Sequence, residues 1–329
     1  MIARGRKRTR LTKGENMLNQ REQAKRKQTL IKYGFLLSII GIPLLQFIVF
    51  YVIQNGNSFL MAFQTQGING ERWDLYNFER FFKAFQSGDG GKQDMLLALV
   101  NTLKFYGLGL ALVPVSLLTS YFMYKKVPGY KFMQIAFFIP SILSTIVWST
   151  IYKQFLGAMN PNESFLPLLV QKLFDMEVPP EFLVFDEYAL GSVMMYSIWM
   201  GVAGNFILYN GAMTRIPAEV IEAGKLDGIT WYREFAQIVL PLVFPTVSTQ
   251  LLLGLTGLFT SSGNILYLTG GYGKTTTISF LIFDNVYNHA DGSGYYNYAS
   301  CVGLCFTVFT LPLVFLSRFL LDKVEDVQY

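Results

Sequence analysis

Few residues in this sequence have the types and spacing that chemistry on a bound ligand requires. Gly273-Lys274-Thr275 ends a glycine-rich run that imitates a phosphate-binding loop. That loop needs a glycine five residues before Gly273, where Leu268 stands, and a strand before it, which the pattern does not predict. Cys301 and Cys305 lie four residues apart in an apolar run, which indicates packing residues on one helix face. The sequence therefore predicts no catalytic residue, no metal site and no bound cofactor.

A second chemical pattern consists of uncharged polar and aromatic residues inside long apolar runs. Hydroxyl and amide groups beside flat aromatic faces suit a neutral, polyhydroxylated solute. A structural role explains the same residues, because Ser, Thr and Asn join membrane helices by hydrogen bonds and Trp and Tyr concentrate at membrane surfaces. The predicted solute pathway consists of Ser141, Thr145, Trp148, Trp199, Asn205, Ser261 and Asn264.

A short segment rich in polar and small residues, 216–241, lies between two of these runs. The pattern predicts two brief helices broken at Asp227-Gly228, because glycine can take the left-handed conformation that ends a helix. Pro217 suits a first helical position, where its missing N–H costs nothing. Glu219 and Glu222 follow on the first turns, where the helix dipole favours an acid. An ordinary loop between membrane helices is the alternative interpretation.

The rest of this segment indicates close packing against another surface. Ala223 and Gly224 leave a bare face on the first helix. The second helix is predicted to begin at a cap on Thr230, to run through Ile238 and to stop near Leu240-Pro241.

The elements that must position all these residues are apolar helices. Hydrophobic residues make up 52% of the 329 residues and charged residues 15%, against about 25% charged in a soluble domain. A membrane-spanning helix needs roughly 20 apolar residues. We predict an all-α membrane protein with six transmembrane helices, at 33–53, 105–124, 132–151, 188–209, 240–258 and 299–320.

Six spans place both termini on one side of the membrane, and the distribution of Lys and Arg sets the orientation. Nineteen of these residues lie on the side of the termini and seven on the other, so both termini are predicted to be cytoplasmic. The predicted organisation is a basic cytoplasmic arm at 1–32, the first span at 33–53, an extracytoplasmic loop at 54–94, a transmembrane core at 95–322 with a cytoplasmic loop at 214–241, and a cytoplasmic tail at 323–329. The basic arm precedes an apolar run, which favours contact with anionic lipid over nucleic acid.

The 216–241 segment resembles the cytoplasmic EAA loop of permease subunits of binding-protein-dependent ABC importers. The family pattern is Glu-Ala-Ala, three variable residues, Gly, nine residues and Ile-x-Leu-Pro. This chain has Glu222-Ala223-Gly224, then Gly228, and then Ile238-Val239-Leu240-Pro241. The third position is Gly rather than Ala, which keeps a small residue there.

Other pieces resemble the carbohydrate branch of that family and occur in the same order. Asn101-Thr102-Leu103 opens the second span, Phe138-Ile139-Pro140 opens the third, and Leu268-Thr269-Gly270-Gly271 follows the fifth. The branch often continues the last motif with Pro, where this chain has Tyr272. The resemblance covers about residues 95–322.

The resemblance implies the fold of a type I importer permease in the plasma membrane, with ATP hydrolysed by separate subunits. It implies a second permease subunit in a heterodimer, two cytoplasmic ATP-binding subunits, an extracytoplasmic solute-binding protein, the lipid bilayer and a carbohydrate substrate as partners. The 217–228 helix would enter a groove on an ATPase subunit. The residues expected to couple the chain to that ATPase are Pro217, Glu219, Glu222, Ala223, Gly224, Asp227, Gly228, Ile238 and Pro241.

Three other functions stay open at this point. The same machinery could carry another solute, such as glycerol phosphate or a peptide, although the scarcity of charge inside the spans argues against a strongly ionic solute. An intramembrane enzyme would need paired intramembrane Asp, or His with Glu, and neither is visible in the sequence. A membrane scaffold that assembles without transport is the third alternative.

Overall fold

The computed structural model describes residues 26–67, 70–86, 94–260, 263–287 and 295–323. Within these ranges the regular structure is helical apart from one antiparallel hairpin of β1 (Gln64–Gly67) and β2 (Gly70–Trp73), which confirms the all-α prediction. Three predicted features fall outside these ranges, namely most of the basic arm at 1–32, the pathway residue Ser261 and most of the tail at 323–329.

Compact packing divides the chain into two units, Met1–Leu60 and Met61–Tyr329. The first unit contains helix α1, Arg26–Met61, whose last residue lies just past the boundary. A π-helical stretch at Ile48–Ile53 interrupts it. The helix is long and apolar enough to cross a membrane, and it extends the predicted span 33–53 at both ends.

The second unit contains the remaining described helices. In chain order they are α2 (Tyr76–Ala84), α3 (Met95–Tyr124), α4 (Tyr130–Ile142), α5 (Thr145–Phe155), α6 (Phe165–Phe174), α7 (Asp186–Met213), α8 (Ala218–Leu226), α9 (Trp231–Thr256), α10 (Gly263–Leu268), α11 (Ile278–Tyr287) and α12 (Tyr295–Leu321). Helices α3, α7, α9 and α12 are long and apolar enough to cross a membrane. A short 3-10 turn at Pro161–Glu163 precedes α6.

The third predicted span, 132–151, is not one helix, because α4 and α5 meet at an angle of 111°. Pro140 cannot donate a backbone hydrogen bond near the end of α4, and Leu143 is extended, with φ −84° and ψ 149°. Ser144 Oγ then caps α5 by accepting a hydrogen bond from Val147 N at 3.4 Å. The prediction of a continuous third helix is therefore wrong. Six spans result when α4 and α5 together form one broken span.

Helix α2 belongs to the packed second unit, although it lies inside the predicted 54–94 loop. Phe81 is buried, and its ring meets that of Phe306 in α12 edge-on with centroids 5.7 Å apart. The Arg80 guanidinium lies 4.2 Å from the centroid of the Tyr298 ring. This part of the predicted loop therefore packs against α12, a role that its mixed composition did not predict.

Helix α3 reaches both ends of the helix bundle. Near its N-terminal end, Ala98 packs in a buried cluster with Val302 of α12. Near its C-terminal end, Tyr121 packs in another cluster with Tyr209 of α7 and Val239 of α9. A helix of 30 residues is about 45 Å long. The two ends of α3 therefore contact different sets of elements, and both sets contain motifs found in the sequence.

Candidate functional site

Helix α8 forms the first half of the 214–241 segment and is anchored by one face. Ile221 is buried in the cluster that contains Val239 of α9. Pro217 lies just before the first helical residue, and Gly228 has φ +71°, the left-handed conformation that ends a helix. The break falls at the predicted glycine, and a second helix follows it. Thr230 stands at the predicted position just before that helix, but the expected cap is not formed, because its side chain makes no capping hydrogen bond.

Gly224 is buried where α8 packs against the residues that follow it. A Cβ at this position would lie 2.9 Å from Ile238 Cδ1 and 3.3 Å from Ile229 Cγ2. The bare face predicted at Ala223 and Gly224 is thus filled at Gly224 by isoleucines of the same segment, whereas Ala223 is exposed. Gly224 sets how closely α8 approaches the start of α9.

The opposite face of α8 is exposed. It carries Glu219, Glu222 and Ala223, and Asp227 follows at its end. Leu226, which no family motif singled out, is 89% exposed. Its spacing of four residues from Glu222 places it on the same exposed face, and that spacing is the sequence signal that could have found it. This face presents an apolar side chain among carboxylates, a chemistry that fits a groove with an apolar floor.

Helix α9 carries the segment into the fifth apolar run without a break. The stop predicted near Leu240-Pro241 is absent, because the helix continues to Thr256. Its stretch Glu234–Val239 is π-helical. A proline leaves a carbonyl one turn earlier without its usual donor, and local π geometry is one way in which membrane helices accommodate it. The half-buried Ile238 and Pro241 are therefore part of one continuous helix.

A partly buried ion pair joins α9 to the C-terminal end of α3, with the Lys125 side chain 25% exposed. The Glu234 side chain is 4% exposed, and its two oxygens accept hydrogen bonds from Lys125 Nζ at 2.7 and 2.9 Å. The Tyr121 hydroxyl lies 3.2 Å from both Glu234 Oε1 and the carbonyl oxygen of Trp231. Lys125 entered the sequence prediction only through the charge asymmetry, because no motif indicates that two residues so far apart meet.

At the N-terminal end of α3, two motifs that are distant in the sequence come together. Asn101 Nδ2 donates hydrogen bonds to the carbonyl of Lys274 at 2.8 Å and to that of Thr276 at 3.0 Å. Thr102 Oγ1 accepts a hydrogen bond from the first backbone N–H of α11 at 3.0 Å. We call residues 268–277, which are held in this way, the strap.

The strap also packs against the N-terminal end of α7. Gly273 has φ +63°, and a Cβ there would overlap the Cβ of Ala189. Lys274 Nζ lies 2.9 Å from Asp186 Oδ2, and both side chains are about half exposed. The hydrogen bond to Asp186, with the attraction between the charges, raises the pKa of Lys274. Exposed ion pairs contribute little to stability, so close packing and Asn101 hold the strap.

A cavity of about 330 Å³ lies beside α3 and is bordered by the strap. Its lining consists of Thr102, Phe105, Tyr106, Gly109, Leu110, Val113, Ser197, Asn205, Gln250, Leu251, Gly254, Gly257, Leu258, Asn264, Ile265, Thr277 and Ser279. Hydroxyl, amide and aromatic groups are thus present together. Among the residues that the structure describes, no acid or base lines the cavity.

Two polar pairs connect the helices around this cavity. Asn264 Nδ2 of α10 donates a hydrogen bond to Ser197 Oγ of α7 at 3.1 Å. Gln250 Nε2 of α9 donates to Asn205 Oδ1 of α7 at 3.5 Å. A side-chain amide has two N–H donors and an oxygen that accepts two hydrogen bonds. These pairs can therefore bind hydroxyl groups of a solute in addition to each other.

The predicted pathway residues separate in the structure. Asn205 and Asn264 line the cavity. Four others lie outside it, namely Ser141, Thr145, Trp148 and Trp199. Trp148 and Trp199 pack edge to face with centroids 4.7 Å apart and border a separate, apolar cavity. Thr145 and Trp148 lie in α5, after the bend, so their direction differs from the one that a continuous third helix would give them.

Six polar cavity residues were not among the predicted pathway residues, namely Thr102, Tyr106, Ser197, Gln250, Thr277 and Ser279. Ser197 lies eight positions before Asn205, about two helical turns, so both occupy nearly the same face of α7. Gln250 is the one amide in the predicted fifth span. These spacings were available in the sequence. The role of Thr102 could not be found in the sequence, because it depends on the contact between α3 and the strap.

Residues 112–326 match the family described as the binding-protein-dependent transport system inner membrane component. The chain belongs to this family. It is therefore a multi-pass inner-membrane component of a transport system rather than an enzyme, and the resemblance inferred from the 216–241 segment is confirmed.

Named relatives of this permease are transport permeases. It is 30% identical over 179 residues to the multiple sugar-binding transport system permease protein MsmF of Streptococcus mutans, over 54% of this chain and 59% of MsmF. It is 28% identical over 290 residues to the probable ABC transporter permease protein YurN of Bacillus subtilis, over 86% and 93% of the two chains. It is 25% identical over 313 residues to the diacetylchitobiose uptake system permease protein NgcF of Streptomyces coelicolor, over 89% and 84%.

Solved structures show the same fold. The permease matches a chain of a bacterial ABC transporter involved in the import of the acidic polysaccharide alginate, with a TM-score of 0.73 and 20% identity, over 91% of this chain and 99% of that one. An alginate transporter in complex with an alginate pentasaccharide-bound periplasmic protein gives a TM-score of 0.71. The permease therefore has the fold of an ABC importer subunit.

Proposed function

We propose that this permease is the membrane-spanning subunit of an ATP-driven importer that moves a neutral sugar or oligosaccharide across the plasma membrane. The observation that carries the proposal is the cavity beside α3, in which hydroxyl, amide and aromatic groups occur without an acid or base among the described lining residues. Its volume of about 330 Å³ is in the range of small-molecule sites. The names of MsmF and NgcF, which refer to sugars, support the same solute class.

The absence of charge in the described lining separates neutral from ionic solutes. Alginate, the solute of the structural relative, is an acidic polysaccharide. A carboxylate or phosphate that enters an uncharged cavity loses hydration without gaining an ionic partner, which is costly. Glycerol phosphate and peptides with charged groups meet the same barrier. A neutral saccharide needs only hydrogen bonds and apolar contact with its ring faces.

The proposed energy source is a separate ATPase that binds the exposed face of α8. The charge asymmetry of the sequence supports a cytoplasmic position for the 214–241 segment and for both termini. Leu226 would enter an apolar groove on the ATPase, and Glu222 would lie at its rim. Because α9 runs without a break to Gln250 in the cavity wall, a displacement of the segment reaches the solute site.

The proposed assembly contains further subunits. A second permease subunit would complete the translocation pathway, and two ATP-binding subunits would bind the two permeases. An extracytoplasmic solute-binding protein would deliver the saccharide. ATP binding and hydrolysis would then move the pair of permeases between inward-facing and outward-facing states, a two-state change that the nucleotide biases.

The experiment that tests this function uses the complete assembly in proteoliposomes. ATPase activity is measured with the solute-binding protein and a panel of neutral oligosaccharides, uronic-acid oligosaccharides, glycerol phosphate and peptides. We expect stimulation by a neutral saccharide and none by the ionic solutes. Stimulation by an ionic solute alone would contradict the proposed solute class. A complete assembly that no solute stimulates would favour the scaffold alternative.

Variants of the cavity test the site itself. Asn205→Ala and Asn264→Ala each remove a side chain that can bind a solute hydroxyl, which is worth about 1 kcal/mol, or about a fivefold loss of affinity. We expect the solute concentration for half-maximal uptake to rise accordingly. Ser141→Ala, outside the cavity, is the matched control and should leave it unchanged. Unchanged uptake in both asparagine variants would remove this cavity from the pathway.

A further inference from the structure

Helix α3 fixes a different segment of the chain at each of its ends. At its C-terminal end, Lys125 pairs with Glu234, the first residue of the π-helical stretch of α9. At its N-terminal end, Asn101 binds the carbonyls of Lys274 and Thr276 in the strap. Asn101 is fully buried, and the Glu234 side chain is 4% exposed. The Lys125 side chain is 25% exposed, so the ion pair is partly buried, and Glu234 and Asn101 are the partners that are shielded from water.

Shielded polar contacts of this kind hold two elements together. Removal of one partner of a buried ion pair leaves an uncompensated charge, and removal of a buried amide leaves carbonyls without a donor. Additional packing supports the ion pair, because the ring of Tyr121 meets that of Phe235 with centroids 5.2 Å apart. The 214–241 segment, α3 and the strap are thus connected in series by contacts that are costly to break.

The cavity lies along this connection. Tyr106 and Gly109, from the middle of α3, line it, and Thr277 of the strap borders it. Asn101 and Lys125 are 24 positions apart, which corresponds to about 36 Å along a helix. A shift of α3 therefore changes the cavity wall and the strap together.

We propose that Lys125 and Glu234 are positioning residues that transmit a displacement of the 214–241 segment through α3 to the strap. The nucleotide state of the ATPase then controls the position of the strap at the opposite end of the permease. This inference rests on the proposed function, since the segment must contact an ATPase for the displacement to occur. A merely structural ion pair would stabilise the permease without affecting this transmission.

The test measures the strap directly. Tyr272, 66% exposed in the strap, is changed to cysteine in a Cys301→Ala/Cys305→Ala background, and its labelling by a membrane-impermeant maleimide is timed with and without ATP and vanadate. We expect the nucleotide to change the labelling rate in the parent assembly. In the double variant Lys125→Met/Glu234→Leu we expect this change to shrink by about tenfold, the size of a typical coupling between sites.

The double variant separates transmission from folding, because replacing both partners of a buried pair by apolar residues is often neutral for stability. Copurification of the ATPase subunits and basal ATPase activity are measured in the same samples. Lys131→Met, an exposed lysine beyond the end of α3, is the matched control and should respond like the parent. If the double variant fails to accumulate, Glu234→Gln is measured in its place.

The outcomes distinguish a failure of the ion-pair role or of transmission to the strap from a failure of the proposed function. A double variant that binds ATPase and changes its labelling as much as the parent would overturn the role of the ion pair. Failure of both Lys125→Met/Glu234→Leu and Glu234→Gln to accumulate, with normal Lys131→Met, would assign the pair to folding and also overturn it. A parent assembly that binds ATPase but shows no nucleotide response would refute transmission to the strap. Absence of ATPase binding to the parent would refute the proposed function itself.

Discussion

Truncation of Leu226 to alanine tests whether the exposed face of α8 binds a partner. The residue is 89% exposed, so hardly any contact within the permease depends on its side chain. Complete burial of a leucine in a partner's groove is worth about 1.5–3 kcal/mol. Loss of about 2 kcal/mol of this burial corresponds to roughly a 30-fold weaker complex. We therefore expect a large effect on ATPase binding and almost none on the stability of the permease.

The assay is biolayer interferometry of the purified ATPase subunit on the permease in nanodiscs, accompanied by thermal unfolding of the permease alone. Met159→Ala is the matched control, because Met159 is 94% exposed in the loop between α5 and α6. We expect unchanged ATPase affinity for Met159→Ala and unchanged unfolding temperatures for both variants. Equal ATPase affinity for Leu226→Ala and the parent would refute the assignment of this face, since an 89% exposed leucine that inserts into a groove cannot be truncated without loss.

Three further predictions concern the segment and the strap. Glu222→Lys reverses a charge on the exposed face of α8, and we expect ATP-dependent uptake to be lost at a normal membrane level of the permease; normal uptake would exclude Glu222 from the interface. Gly273→Ala adds a Cβ against Ala189 at φ +63°, where the backbone alone costs about 1–2 kcal/mol, and we expect a lower unfolding temperature. Lys274→Met removes an exposed ion pair and should change that temperature much less, so a larger effect than that of Gly273→Ala would show that charge rather than packing holds the strap.

Long apolar runs predicted most of the spanning helices, because a helix that crosses the membrane needs about 20 consecutive, mostly apolar residues. Helices α7 and α12 include the predicted spans 188–209 and 299–320. The prediction of a continuous third span was wrong because proline and serine are tolerated inside membrane helices. Pro140 and Ser144 were therefore not taken as signs of a break. Only the structure shows that Ser144 caps a new helix.

Local features of the 214–241 segment were also predictable, because they depend on the type of a single residue. Gly228 ends α8 through its own backbone conformation, which residue type indicates. Contacts between distant positions were not predictable. The approach of Ile238 to Gly224, the pairing of Lys125 with Glu234 and the binding of the strap by α3 all depend on how the helices pack.

The candidate solute site was predicted only in part. Asn205 and Asn264 were found because amides are conspicuous in an apolar run, and both line the cavity. The aromatic pair Trp148 and Trp199 was chosen by residue type alone and lies elsewhere. Residue type therefore indicated the kind of chemistry, whereas the packing of α7, α9 and α10 around α3 determined which side chains share one cavity.

Uptake of a labelled neutral oligosaccharide into proteoliposomes that contain the complete assembly is the most direct test of the proposed transport. The predicted result is accumulation that requires ATP, the ATP-binding subunits and the solute-binding protein, and that falls sharply in the Asn205→Ala/Asn264→Ala double variant. Accumulation of an ionic solute with no uptake of any neutral saccharide, or neutral uptake that the double variant leaves unchanged, would contradict it.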